Sequence, residues 1–186
     1  TCHTTFLHRF VDFSTLSPGL AAAHSNWQND GMPSIHIRST DYGFYYGSQR
    51  DAPDGEYNWR ITQWILPSNS IIPHPKYPIS SRAYIPIDDD NTFVFGTSFN
   101  PEAPMTQDEC KYLETGLGAA PQTIPGTFTP VINRDNNYML DRASQRAGNA
   151  TGIPGVNNQD RAIVESMGPI VDRENEHLGT SDKAII

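Results

Sequence analysis

The 186-residue chain reads as one α+β domain, with antiparallel strands in its middle and helices at its two ends. Three observations predict this. Between residues 34 and 99, apolar and polar residues alternate in short runs separated by turn residues. Toward both ends the apolar residues fall at helical spacing instead. No internal repeat or linker divides the chain, and its length suffices for a single hydrophobic core.

Phe6, Leu7, Phe10 and Val11 give residues 1–16 a helical pattern, and residues 16–31 are mixed and loop-like. Ile35 and Ile37, then Tyr42, Phe44 and Tyr46, predict two strands over residues 34–49 around a turn at Asp41. Asp51 to Gly55 is a turn set by Pro53 and Gly55. Tyr57, Trp59, Ile61 and Gln63 alternate in a third strand, Tyr57 to Leu66. Pro67 to Pro78 is proline-rich and non-helical. Ser81 to Ile87 and Thr92 to Phe99 then form a hairpin across the acidic turn Asp88-Asp89-Asp90-Asn91. Residues 100–150 show little apolar periodicity, and so long a loop implies a lid, a channel wall or a subunit contact. A last helix is expected from Asn158 to Met167, with Asp160, Ile163, Val164 and Met167 along one apolar stripe.

Composition narrows the function. An apolar content of 37% with 10% aromatics is that of a globular protein, not a disordered one. The net charge of −8 argues against nucleic acid, whose phosphates need clustered Lys and Arg. No apolar run approaches the roughly 18 residues of a membrane span, and no secretory leader is visible. Cys2 and Cys110 are too few for a disulfide scaffold, so two thiols in the cytoplasm are expected. The opening inside a functional-looking segment and the apolar Ala184-Ile185-Ile186 ending suggest a fragment of a longer polypeptide.

Two features can carry chemistry. His3 and His8 are five apart, which places them about 140° from each other on an ideal helix. They can share a metal only if the helix bends or ends between them; otherwise they are ordinary surface or core histidines. Asp160 lies on the apolar stripe of its helix, where a buried carboxylate is costly unless paired or metal-bound. The plain alternative is a carboxylate near the helix N-terminus, favoured by the dipole. Two imidazoles and a carboxylate leave three positions open on octahedral iron. Zinc hydrolysis uses the same ligand types with one open position, and a metal-free binding module needs none of them as ligands. Arg38, Arg50 and Arg60 lie in or beside strands, where a guanidinium can clamp a carboxylate or form a plain salt bridge. The Asp88–Asp90 run is expected to be a solvated turn, and His24, His36 and His74 have no ligand at useful spacing. Phosphate loops, nucleophile elbows and dinucleotide fingerprints are absent.

At these residues the chain resembles a known family. The run from Val156 through Asp160, Glu165 and Gly168 to Asp172-Arg173, then Glu176-His177 and Ser181-Asp182, is similar to the C-terminal signature of Rieske non-haem iron aromatic-ring oxygenases of the phthalate dioxygenase type. The pair His3 and His8 around Phe6-Leu7 resembles that family's histidine pair. Tyr57 to Gln63 with Leu66-Pro67, and Tyr84 to Asp89, fit it more loosely. The resemblance covers the chain from Thr1 to Ile186 in order. It implies a helix-grip fold of the START or Bet v1 kind, an antiparallel sheet around a long helix. It implies Fe(II) held by His3, His8 and Asp160, and O2 activation to dihydroxylate, hydroxylate or O-demethylate an aromatic, above all an aromatic carboxylate that Arg38 or Arg60 would clamp. It also implies electrons from a Rieske [2Fe–2S] cluster, usually on a neighbouring subunit of a homotrimer or hexamer, supplied with NADH electrons by a separate reductase or ferredoxin. Here the chain departs from the pattern. Neither Cys2 nor Cys110 starts a C-x-H or C-x2-H pair, so the cluster is expected on an N-terminal domain outside residues 1–186.

Overall fold

The computed structural model of the chain describes His3, Leu7, His8 and residues 31–72, 78–116 and 120–186. Six strands follow one another: β1 (Ser34–Thr40), β2 (Gly43–Asp51), β3 (Tyr57–Ile65), β4 (Asn69–Ile72), β5 (Ile79–Pro86) and β6 (Thr92–Phe99). They form one antiparallel meander in which each strand pairs with the next. Short connections allow this, because antiparallel neighbours need only a tight turn. Between β1 and β2 the pair Thr40 and Gly43 closes a two-residue turn at Asp41-Tyr42. Gly43 is required there: its φ is +147°, and a Cβ would lie 2.2 Å from the Trp64 carbonyl oxygen. The acidic turn between β5 and β6 is self-capped. Asp88 accepts hydrogen bonds from the backbone N–H groups of Asp90 (2.9 Å) and Asn91 (2.7 Å) and from the Asn91 amide (2.9 Å). Those bonds, the Asn91 amide first, lower the Asp88 pKa, so these acids shape a turn.

The strand expectations therefore hold, with one addition. Asn69-Ser-Ile-Ile72 forms β4 inside the proline-rich stretch, too short to show a period of its own. Its pairing with β3 and β5 supplies what the local pattern lacks.

Two helical expectations need correction. Residues 100–150 are not a bare loop: α1 (Gln107–Glu114), a 3-10 segment (Arg134–Met139) and α2 (Arg142–Arg146) lie within them. The start of α1 was legible as a capping box. Thr106 Oγ1 accepts from Glu109 N (3.2 Å) while Glu109 Oε2 accepts from Thr106 N (2.7 Å). The last helix, α3 (Val156–Ser166), forms where expected but turns another face inward. Ile163, Val164 and Met167 are 51%, 59% and 52% exposed, whereas Asn158, Gln159 and Ala162 are buried. The reason lies in the sheet. Ser48, Arg50, Thr62, Ser70 and Ser80 are its buried polar residues, and the strand registers put all five on one face. A polar interior is matched by the amide edge of α3, not by an aliphatic stripe. Arg82 on the same face meets α3 directly. The Asn157 side-chain oxygen accepts from its Nη1 and Nη2 at 3.1 and 3.2 Å, in the amide orientation that satisfies both partners. Ile153 and Ala162 are the buried hydrophobic residues among those described. The chain end forms the 3-10 turn Thr180–Asp182, with Ile185 and Ile186 exposed. Among the described residues no helix is long and apolar enough to cross a membrane.

Candidate metal centre

The five-residue spacing of the histidines does not keep them apart. The Leu7 N–H donates to the His3 carbonyl (2.7 Å), closing a single turn, and His8 follows it. The two rings meet edge to face with centroids 5.0 Å apart. The first turn and a half of α3 brings Asp160 to them: its Oδ1 lies 3.1 Å from His8 Nε2 and 3.6 Å from His3 Nε2. One nitrogen from each imidazole and one carboxylate oxygen all lie within 4.8 Å of one another, the one such group among the described residues. The apolar stripe that drew attention to Asp160 is not what places it, since that stripe is exposed.

The three donors differ in their surroundings. The His8 side chain is 4% exposed, Asp160 34% and His3 51%, so the cluster is closed at His8 and open at His3. Burial, first, lowers the His3 pKa, with smaller contributions in the same direction from His8 and Arg60, while Asp160 opposes them. Half of the side chain still meets solvent, and the lowered pKa favours the neutral imidazole, the form that a metal ligand needs. His8 is held from behind. Its Nδ1 is 2.7 Å from Gln159 Oε1, and the Gln159 amide donates in turn to the Ile153 carbonyl (2.9 Å).

Arg60 and Arg38 part company. Arg60 pairs with Ser48, on the face that carries Arg50 and Arg82, and its Nε is shielded from solvent. Burial lowers its pKa, Arg50 adds to the effect, and the charges of Tyr46 and Asp160 oppose it. Arg38 pairs with Tyr45 on the opposite face, beside His36, Trp59 and Ile61, and is not brought to the cluster. His36 bonds Gln49 (2.9 Å) and packs on Trp59, as an ordinary histidine does. Cys110 is a free, exposed thiol; Cys2, His24 and His74 lie outside the described residues.

A second set of contacts fixes the far end of α3. Tyr138 Oη donates to Glu165 Oε2 (2.5 Å), and Arg134 Nη2 donates to the Glu165 carbonyl (2.6 Å). Arg161 pairs with Glu165 (3.4 Å) and also donates to the Ile132 carbonyl. Sequence reasoning missed Gln159 and Tyr138. Gln159 adjoins a candidate ligand, but nothing in its spacing marks it. Tyr138 lies in a stretch without periodicity.

Residues 2–186 match the family model described as LigXa C-terminal domain like. The chain is similar to the phthalate 4,5-dioxygenase oxygenase subunit of Pseudomonas putida, with 33% identity over 195 residues, covering all of this chain and 44% of that protein. It is also similar to the 3-chlorobenzoate-3,4-dioxygenase oxygenase subunit of Comamonas testosteroni. There the identity is 28% over 172 residues, covering 83% of this chain and 39% of that protein. The chain spans less than half the length of these relatives. Both are the kind of oxygenase subunit that the motif resemblance implied.

Proposed function

The chain belongs to the LigXa C-terminal domain like family, and on that premise we propose that it is the catalytic part of a Rieske-type aromatic-ring oxygenase. It holds one Fe(II) through His3, His8 and Asp160. The observation that carries this reading is the convergence of two imidazole nitrogens and one carboxylate oxygen within 4.8 Å. The donor set fits the metal: two neutral nitrogens and one anionic oxygen, gathered from separate parts of the chain, with open positions left for substrates. Iron bound there supplies dioxygen activation, as a monooxygenase or a dioxygenase. The protein binds, orients and excludes water.

The substrate is an aromatic carboxylate. Arg60 supports this reading through its inner-face position and its proximity to Asp160; a guanidinium holds a carboxylate by two parallel bonds. The names of the two relatives, a phthalate and a chlorobenzoate enzyme, agree with it. Electrons come from a [2Fe–2S] cluster outside residues 1–186, fed by an NADH-dependent reductase or a ferredoxin. The six-stranded sheet with α3 on its polar face is in keeping with a helix-grip domain. Tyr57, Trp59, Ile61, Ile85 and Phe95, all at least 45% exposed, offer apolar surface that a homotrimer or hexamer would cover. A cytoplasmic setting suits such redox chemistry.

Elemental analysis of anaerobically purified protein tests the centre. About one iron per chain is expected, with none in Asp160→Ala. Iron absent from both after reconstitution with ferrous salt would refute the oxygenase. Stoichiometric zinc that iron does not replace would favour a hydrolase with the same ligands, and no metal at all a binding module.

A further inference from the structure

We propose that Gln159 is a positioning residue that fixes which nitrogen His8 offers to the metal; the inference rests on the metal reading above. The amide of Gln159 cannot turn over. Its nitrogen donates to the Ile153 carbonyl at 2.9 Å, so a flipped amide would set oxygen against oxygen. Gln159 Oε1 therefore faces His8 Nδ1 at 2.7 Å, and an oxygen there accepts only if Nδ1 carries the proton. When a metal takes the place of any proton on the other nitrogen, the lone pair offered is that of Nε2, the nitrogen 3.1 Å from Asp160 Oδ1. Gln159 is 1% and His8 3% exposed, so no bulk water stands in for either partner.

The sequence adjacency has a mechanical meaning. Gln159 and Asp160 are consecutive on α3, and they address the two nitrogens of one imidazole. One helix turn thus supplies a ligand and also aims a second ligand. Any displacement of α3 shifts both together. The start of α3 is built for this. Gly155 at its N-cap has no side-chain cap; instead, Asn158 and Gln159 reach back to the Pro154 and Ile153 carbonyls at 3.0 and 2.9 Å.

The test uses Zn(II) as a diamagnetic probe on the full chain, with Gln159→Leu and Gln159→Glu beside wild type. Imidazole 15N spectra of the wild-type zinc form are expected to show His8 bound through Nε2, with a slowly exchanging proton on Nδ1. Competition with a chelator should show Gln159→Leu binding zinc roughly 10–100-fold more weakly. Gln159→Glu should recover most of that loss, because its carboxylate still accepts from Nδ1. Both variants lose the bond to Ile153, so a purely structural role would weaken them alike. Wild-type affinity in the Leu variant, equal losses in both, or coordination of wild-type His8 through Nδ1 would each overturn the inference. Should Gln159→Leu fail to fold, the wild-type zinc spectrum decides by itself. A wild-type chain that takes up neither zinc nor iron overturns the metal reading, and this inference with it.

Discussion

Tyr138→Phe removes one oxygen from the contact that holds the C-terminal half of α3. The phenol donates to the Glu165 carboxylate at 2.5 Å, a charge-assisted bond of a kind that contributes about 1.5–3 kcal/mol. The Glu165 side chain is 35% exposed and keeps its pairing with Arg161, so water and a second partner offset part of the loss. The low end, about 1.5 kcal/mol, is expected. For a chain of this size that lowers Tm by roughly 3–6 °C. The backbone points the same way. Asn137, Tyr138 and Met139 hold φ values of 52°, 55° and 50°, a left-handed run that costs non-glycine residues about 1 kcal/mol or more each. Such a run persists only where contacts fix it, and the Tyr138 bond is one of them. Thermal melts followed by circular dichroism, repeated across pH, supply the assay.

The pH dependence has a definite sign. Burial first, and then the bond to Glu165, raise the Tyr138 pKa above the ordinary tyrosine value of about 10. The folded state thus favours the neutral phenol, so the contribution is fully present below pH 10 and is lost as pH rises through the raised value. The gap between wild type and Tyr138→Phe should be constant near pH 7–9 and close above pH 10. A Tm difference under about 1 °C at pH 7, or one that stays constant through pH 11, would refute the reasoning.

Two further perturbations address the substrate side and the sheet. Arg60→Gln should weaken equilibrium binding of phthalate or benzoate by about tenfold or more, the worth of a charged hydrogen bond. Arg38→Gln, on the opposite face, should leave it unchanged; equal effects of both would remove Arg60 from the clamp. Gly43→Ala puts a Cβ 2.2 Å from the Trp64 carbonyl at a φ of +147°, so urea unfolding should show a loss of about 2 kcal/mol or more. A change under about 0.5 kcal/mol would mean the turn re-forms without glycine.

The strands were legible because apolar and polar residues alternate along them, and successive side chains fall on opposite faces of the sheet. The turn after Asp41 closes on Gly43 with its positive φ, and the Asp88 turn carries its own side-chain caps. The proposed ligands His3, His8 and Asp160 stood out as residue types and, through the motif resemblance, as a set. Their geometry did not, because ideal-helix spacing argued against His3 and His8 meeting, and one closed turn removes that objection. The stripe Ile163, Val164 and Met167 misled for a physical reason. Periodicity reports that a helix has an apolar side, while the partner surface decides which side is buried. Gln159, Arg82 and Tyr138 left no local signal because each acts on residues distant in sequence.

That partner surface explains how the site can be precise. The buried part of that sheet face, Ser48, Arg50, Thr62, Ser70 and Ser80, gains little from apolar burial, and apolar packing would in any case fix α3 only loosely about its axis. Hydrogen bonds are directional. At the N-terminal end of α3, Asn157 meets Arg82, Asn158 meets Pro154, and Gln159 meets Ile153 and His8. At its C-terminal end Glu165 meets Tyr138, Arg134 and Arg161. Asp160 lies between the two sets, so its carboxylate is placed in rotation as well as in depth. The network that gives up apolar stabilisation is the one that brings Asp160 Oδ1 to 3.1 Å from His8 and 3.6 Å from His3.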